Sequence, residues 1–193
     1  MERVGVQKRL LLLIACFGIC FVSAILVIIG LCTNNWVEIR NRNLYRNDIT
    51  VHFGLHRVCW TSSDRCNNPG NNYDQQKVLP SVQGILITGG FITVIAGLAA
   101  MYNLLQHLLG RSNGLISVGC AAAAGIGGIM VLVGAIVFAT KVKVRTEYIS
   151  VGFIEWLGFS FGLTVTAGIL MIIAAVLGGL TALSSAQQKF NHM

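Results

Sequence analysis

The chain has 193 residues, of which 54% are hydrophobic and only 11% charged, and its formal net charge is +7 at pH 7. Soluble globular domains carry about 25% charged residues, so this composition excludes an ordinary soluble domain. It indicates a protein whose main solvent and partner is the lipid bilayer, and we expect no nucleic-acid partner.

Four apolar windows are long enough to cross a hydrocarbon core, which is about 30 Å thick and needs about 20 residues of helix. In chain order they are residues 10–31, 82–105, 115–140 and about 159–183. They predict a single four-span membrane domain over residues 1–193, with both termini on the same side of the membrane.

The first window has an alternative interpretation as a cleaved signal peptide, because Arg3, Lys8 and Arg9 precede it. Its apolar run is too long for a signal core, and no small-residue cleavage pattern ends it. We therefore expect the window to be retained as a span.

Orientation depends on the basic residues near the span ends. The termini and the short connection 102–114 hold five Lys and Arg, whereas the loops 32–80 and 141–155 hold the other nine. That count alone favours a cytosolic long loop. The first span often dominates, however, and its N-terminal flank is the basic one. We therefore predict that both termini are cytoplasmic and that the two longer loops lie outside the cell.

The long loop contains FGLHRVCWTSSDRC, with six residues between Cys59 and Cys66. A zinc site would use His52, His56, Cys59 and Cys66, but the spacing matches no common structural zinc motif. The apolar alternation at residues 49, 51, 53 and 55 predicts a strand, on which both histidines share one face and Cys59 points to the other. We therefore predict a disulfide, which an oxidising compartment favours, with zinc and free thiols as the alternatives.

The second outer loop contains KVKVRT, in which Lys141, Lys143 and Arg145 alternate with apolar or uncharged residues. This period of two predicts a strand with one solvated face, and an unpaired basic run beside the membrane is the alternative. Because WVEIR and DITVHFGL in the long loop alternate similarly, the two loops are expected to pair as one antiparallel sheet.

Small residues recur every four positions in the third and fourth spans, a spacing that lets helix backbones approach closely in lipid. They are Ser117, Ala121 and Gly125, Ala124 and Gly128, Ala174 and Gly178, and Ala175 and Gly179. Packing within the chain is the default explanation, and a face for self-association is the alternative.

Catalysis has little support in the sequence. The four windows contain no Asp, Glu, Lys, Arg or His, so proton relay and charge-coupled transport lack their usual groups. Ser62, Ser63 and Asp64 lie in the long loop without a nucleophile motif. We expect no enzyme activity, no catalytic residue, no cofactor and no metal.

Four spans, a long first outer loop, and Trp36 followed by Gly54, Leu55, Cys59 and Cys66 resemble the claudin superfamily. That superfamily also contains the peripheral myelin protein and epithelial membrane protein group, and the gamma subunits of calcium channels with their AMPA-receptor regulatory relatives. The resemblance implies an all-α membrane protein: a four-helix transmembrane bundle with a small extracellular antiparallel β-sheet, closed by the disulfide. Trp36 suits the bilayer interface. In the superfamily this tryptophan packs beneath the sheet.

The sequence departs from the claudin pattern at several points. His56 replaces the second tryptophan of the motif, only six residues separate the two cysteines, and the second span begins SVQG, where claudins often have an arginine. The C-terminal QQKFNHM ends in Met, a poor substitute for the final hydrophobic residue that claudins present to PDZ domains, and the short connection and tail lack cysteines for palmitoylation. The chain also has no N-x-[ST] acceptor, which disfavours the myelin-protein and gamma-subunit groups.

Two functions follow from the resemblance. The first is a plasma-membrane protein of cell–cell contacts and tight junctions, which associates with itself in one membrane and with a partner on the apposed cell to form or regulate a paracellular barrier. The second is an auxiliary subunit that modulates the gating or trafficking of an ion channel or receptor. A less specific alternative is a four-span adhesion or trafficking protein.

Charge selectivity would depend on Asp64 and Arg65, because residues near the second cysteine line the path in claudin-like pores. The long loop carries six basic and four acidic residues, a net of +2, and the second outer loop three and two, a net of +1. The two neighbours of Cys66 nearly cancel. The resemblance therefore predicts a barrier or a pore with mild anion preference.

Overall fold

The structure of the protein, a computed structural model, describes residues 2–41, 50–60, 65–67, 75–111, 114–141 and 153–190. Within these ranges it contains four helices and five strands. The helices are α1 (Glu2–Cys32), α2 (Gln75–Leu108), α3 (Gly114–Lys141) and α4 (Phe159–Phe190). The strands are β1 (Val37–Asn41), β2 (Thr50–Phe53), β3 (Val58–Trp60), β4 (Arg65–Asn67) and β5 (Phe153–Leu157).

All four helices are long and apolar enough to cross a membrane. The candidate spans are Gln7–Cys32, Leu79–Leu108, Gly114–Lys141 and Phe159–Ser184. The shortest of them has 26 residues, or about 39 Å of helix at 1.5 Å per residue, against a hydrocarbon core of about 30 Å. Each predicted window lies inside one helix. The helices extend further than the windows, so Pro80 lies inside α2 rather than at the end of a loop.

The bundle exposes many large apolar side chains and buries several polar ones, as expected for a protein surrounded by lipid. Phe91 is 67% exposed, whereas Ser23, Thr93 and Thr164 are fully buried. Each of these three hydroxyls donates to a carbonyl one turn earlier in its own helix, at 2.7 to 2.9 Å. These three buried hydroxyls are thereby satisfied, and the outer surface needs an apolar solvent.

Glycines allow the third and fourth helices to pack closely. A Cβ added at Gly128 would lie 3.0 Å from the Gly168 carbonyl oxygen, and one added at Gly178 would lie 3.1 Å from the Ala121 Cβ. Of the small-residue repeats, the positions Gly128 and Gly178 therefore serve packing within the chain. The main contacts of α1 are with α2 and α4, and α3 contacts the same two helices, so α1 and α3 occupy opposite corners of the bundle.

The five strands form one antiparallel sheet in the order β4-β3-β2-β1-β5. Its inner face packs on the ends of the helices through a buried cluster that includes Trp36, Val37, Ile39, Leu55 and Phe138. We refer to this end of the bundle as the sheet end. The predicted fold class, a four-helix transmembrane bundle with a small antiparallel sheet, is confirmed.

The second loop joins the sheet through β5, which pairs with β1 along its full length from Val37↔Leu157 to Asn41↔Phe153. The strand predicted over KVKVRT starts at Lys141, but the structure places Lys141 in the last turn of α3. The remaining residues of that segment, 142–146, lie outside the described residues. Strand β2 begins at Thr50 and ends at Phe53. The alternating pattern thus predicted the strand correctly but not its end, because Leu55 lies in the turn that follows β2.

Candidate interaction surface at the sheet end

Trp36 lies at the centre of the contact between sheet and helices. Its side chain is fully buried, and its indole N–H donates to the Gly30 carbonyl at 2.8 Å. The ring meets Phe138 and Phe161 edge-on, with centroid separations of 4.8 and 6.1 Å. A protein carbonyl, not water, therefore satisfies the indole N–H. Trp36 packs beneath the sheet, as the claudin resemblance implies.

Gly54 and Leu55 form the turn between β2 and β3. The Gly54 N–H donates to the Arg57 carbonyl at 2.8 Å, and a Cβ at Gly54 would lie 2.6 Å from the Asn34 Cα. Leu55 is fully buried in the Trp36 cluster, and the Gln83 side-chain amide donates to its carbonyl. Only glycine fits at the first position, and Leu55 ties the turn to α2.

A second close approach holds β5 and α4 against the start of β1. The Gly158 N–H donates to the Trp36 carbonyl at 2.9 Å, and the Ser160 N–H donates to the Asn35 carbonyl at 3.1 Å. A Cβ at Gly158 would overlap the Asn35 carbonyl oxygen. The sequence analysis did not predict a role for Gly158. The signal that could have indicated this close approach is its position between Leu157, the last residue of β5, and the first residue of α4.

Cys59 and Cys66 are directly opposite each other on β3 and β4 and form a disulfide, with 4.1 Å between their Cα atoms. It cross-links the terminal hairpin of the sheet. The predicted disulfide is therefore present.

The sequence analysis placed Cys59 on the face opposite to His52, and this prediction is wrong. That assignment assumed one continuous strand, whereas the chain reverses at Gly54–Arg57 and places Cys59 directly opposite His52. Directly opposed residues of antiparallel strands share a face. His56 is exposed in the turn. Among the described residues, no group of three or more His, Cys, Asp or Glu is arranged to hold a metal ion.

Arg65 is exposed on the edge strand β4, beside Cys66, and is paired in register with Trp60. Trp60 is itself 45% exposed. Asp64, the other residue expected to influence selectivity, lies outside the described residues. The guanidinium and the indole together form an uncovered patch beside the disulfide, which we call the β3–β4 patch.

The opposite edge of the sheet is apolar. Trp156, Leu157 and Phe159 are 63%, 41% and 55% exposed, respectively. They extend from β5 into the first turn of α4, and β5 has no further strand beside it in the described part of the chain. We call these three residues the β5 edge.

Comparison with protein-family models gives no match, and comparison with curated proteins gives none either. The class of the protein therefore rests on its own geometry. It is a multi-pass membrane protein whose described residues form four apolar helices, one small antiparallel sheet and one disulfide, an architecture that fits a claudin-like four-span protein.

Proposed function

We propose that this protein acts at cell–cell contacts in the manner of claudins. Copies associate side by side in the plasma membrane and meet a partner on the apposed cell through the sheet, forming or regulating a paracellular barrier. The observation that supports this most is the uncovered aromatic surface of the sheet at both of its edges.

The two edges have the composition of binding surfaces. Trp60 and Arg65 on the β3–β4 patch and Trp156 on the β5 edge belong to the residue types that dominate interface energetics. An exposed sheet edge also presents unpaired backbone groups to which another chain can add. The sheet therefore offers two distinct contact sites, which is the minimum for a chain that binds both a lateral neighbour and an opposed one.

The rigid attachment of the sheet to the helices also supports a binding role. Trp36 and Leu55 are fully buried beneath it, and the disulfide closes its far hairpin. A surface that is already rigid before binding loses less conformational entropy on association. The contact residues are thus presented by a preformed platform, and the proposed role is binding rather than catalysis.

The proposal places the sheet outside the cell and both termini in the cytosol. A disulfide persists in an oxidising compartment, which favours an extracellular sheet. Antibody access to tags on intact cells tests this: an N-terminal tag should stain only after permeabilisation. A tag inserted in the long loop should stain on intact cells, and the reverse pattern would overturn the proposed orientation.

The decisive experiment expresses a fluorescent fusion in non-adherent cells and images the places where two expressing cells touch. We expect enrichment at contacts for the wild type and its loss in the double variant Trp60→Ser, Trp156→Ser. The control is Phe91→Leu, which changes an exposed aromatic residue within α2, away from the sheet. Surface biotinylation establishes that all three proteins reach the plasma membrane in similar amounts.

A second candidate function is that of an auxiliary channel or receptor subunit, and one observation favours it. A groove of about 490 Å³ between α3 and α4 is lined by Val118, Ala121, Ala122, Gly179, Ala182 and Leu183. A Cβ at Gly179 would meet nothing within 4 Å in the chain. A helix from another membrane protein could therefore approach closely here. Uniform surface staining with co-purification of a channel would support this function over the first.

A further inference from the structure

Four residues stand in one row across four neighbouring strands of the sheet. Glu38 is directly opposite His52, His52 is opposite Cys59, and Cys59 is opposite Cys66. Directly opposed residues of antiparallel strands share a face, with about 5 Å between their Cβ atoms. The row lies on the outer face, because Ile39, the residue after Glu38, is buried on the inner one.

The imidazole of His52 lies between a carboxylate and the disulfide. Its Nδ1 atom is shielded from solvent and has no hydrogen-bond partner among the described residues. A buried polar atom in this state calls for an explanation, and a redox role beside a disulfide is one. The order acid, imidazole, sulfur along the row is also the order in which enzymes arrange these groups for thiol chemistry.

The two halves of the disulfide differ in accessibility. Cys66 is exposed on β4, at one edge of the sheet, whereas Cys59 is half-buried on β3. The rate of thiol–disulfide exchange depends on which sulfur an incoming thiolate can reach and on how readily the other sulfur leaves. The reachable sulfur is therefore that of Cys66, and the leaving sulfur is that of Cys59, the neighbour of His52.

We propose that the Cys59–Cys66 disulfide is an exchange site, which a dithiol reductant opens by attack on Cys66. One thiolate of the reductant bonds to the Cys66 sulfur, the S–S bond of the protein breaks, and its electron pair leaves on Cys59, which takes a proton from His52. The second thiol of the reductant then displaces the Cys66 sulfur and gives it a proton. The first thiol's proton restores His52. The protein gains two electrons and two protons, and the reductant ends as a cyclic disulfide.

Opening the bond frees the β3–β4 patch and leaves the rest of the sheet in place. Trp60 and Arg65 directly adjoin the two cysteines, so the bond fixes the spacing of the strands that carry them. The described part of the buried cluster beneath the sheet draws on β1, β2 and the turn at Leu55, and on neither β3 nor β4. The exchange site does not depend on the proposed junction function.

The test uses the full-length protein in lipid nanodiscs, where both membrane faces are accessible, with dithiothreitol as the probe dithiol. Thiols are blocked at intervals with excess N-ethylmaleimide, and peptide mass spectrometry gives the fraction of chains with Cys59 and Cys66 both alkylated. We expect the bond to open well below the unfolding temperature. Glutathione, which has one thiol, should be trapped as a mixed disulfide on Cys66. A bond that opens only on unfolding, or glutathione found on Cys59, would overturn the proposal.

The His52→Gln variant tests the proton donor, because an amide cannot transfer a proton. Opening by dithiothreitol should slow about tenfold, less than the roughly 10²-fold typical of acid catalysis, because a thiolate already leaves readily. His56→Gln is the matched control and should react like the wild type, since His56 is exposed in the turn. A substitution that only loosened the sheet would speed the reaction, so an unchanged or faster rate in His52→Gln contradicts the assignment. The site of the glutathione adduct is measured on the wild type and decides the matter should the variant fail to fold.

Discussion

The indole N–H of Trp36 donates to the Gly30 carbonyl at 2.8 Å, so the first residues after α1 are fastened to the last turn of that helix. The same residue supports the sheet from below, since it packs with Val37, Ile39 and Leu55 in one buried cluster. A single side chain thus joins the end of a membrane span to the sheet that rests on it.

Replacing Trp36 should lower the free energy of unfolding in two measurable steps. Trp36→Phe keeps most of the ring but leaves the Gly30 carbonyl without its indole donor, at a cost of about 1 to 2 kcal/mol. Trp36→Ala also opens a cavity and should cost about 3 to 5 kcal/mol. Equilibrium unfolding in detergent measures both. Trp156→Ala is the control and should change little, because Trp156 is 63% exposed.

Gly54→Ala should destabilise the protein by about 1 to 3 kcal/mol, because the added Cβ would lie 2.6 Å from the Asn34 backbone. Gly119→Ala is the matched control, since a Cβ there meets nothing within 4 Å. Alanine is also the better helix former by about 1 kcal/mol, so the control should be neutral or slightly stabilising. Equal effects of the two substitutions on thermal unfolding would contradict the close approach at Gly54.

The disulfide of the sheet should contribute about 2 to 3 kcal/mol, the amount expected for closing a short loop. The variant Cys59→Ser, Cys66→Ser should therefore unfold at a lower temperature than the wild type. Non-reducing mass spectrometry gives the direct check, with a linked peptide containing both residues. Recovery of both cysteines alkylated without reductant would reject the bond and reopen zinc as an alternative.

Arg65→Glu should shift the selectivity of a monolayer expressing the protein towards cations, because a path with low-dielectric walls responds strongly to a charge on its lining. The wild type should behave as a barrier or show a mild anion preference in dilution-potential measurements. Arg111→Glu is the charge-matched control, since Arg111 is exposed in the connection between α2 and α3, away from the sheet. A cation-selective wild type, or no response to Arg65→Glu, would remove the role assigned to this residue.

The spans were predictable because a bilayer imposes a minimum length of continuous apolar sequence, and no other common structure meets it. Strand β2 was predictable from its alternation, since Val51 and Phe53 on one face pack against the buried cluster beneath the sheet. The turn at Gly54–Arg57 was harder to predict, because the alternation continues to Leu55 and conceals the reversal. As a result, His52 and Cys59 were predicted to lie on opposite faces, whereas they share one face.

The buried cluster that contains Cys16, Cys20 and Cys120 was not predictable from the sequence. Helices that are apolar on all sides carry little information about which face turns inward, so which residues meet at the centre of the bundle depends on how the four helices pack. The burial of Trp36 was equally undetermined by composition, because tryptophan also suits the membrane interface. The claudin resemblance supplied the placement that the structure shows.

Helices α1 and α4 are neighbours in the bundle, and the strands that continue them, β1 and β5, are neighbours in the sheet. Four residues separate α1 from β1, Gly158 alone separates β5 from α4, and hydrogen bonds of Ser160 to Thr33 and Asn35 clamp the two connections together. The helix–strand pairs α1–β1 and α4–β5 therefore form one rigid unit that joins the bundle to the sheet. Under the proposed junction function, a pull on the sheet from an adjoining cell would reach α1 and α4 directly through these two connections.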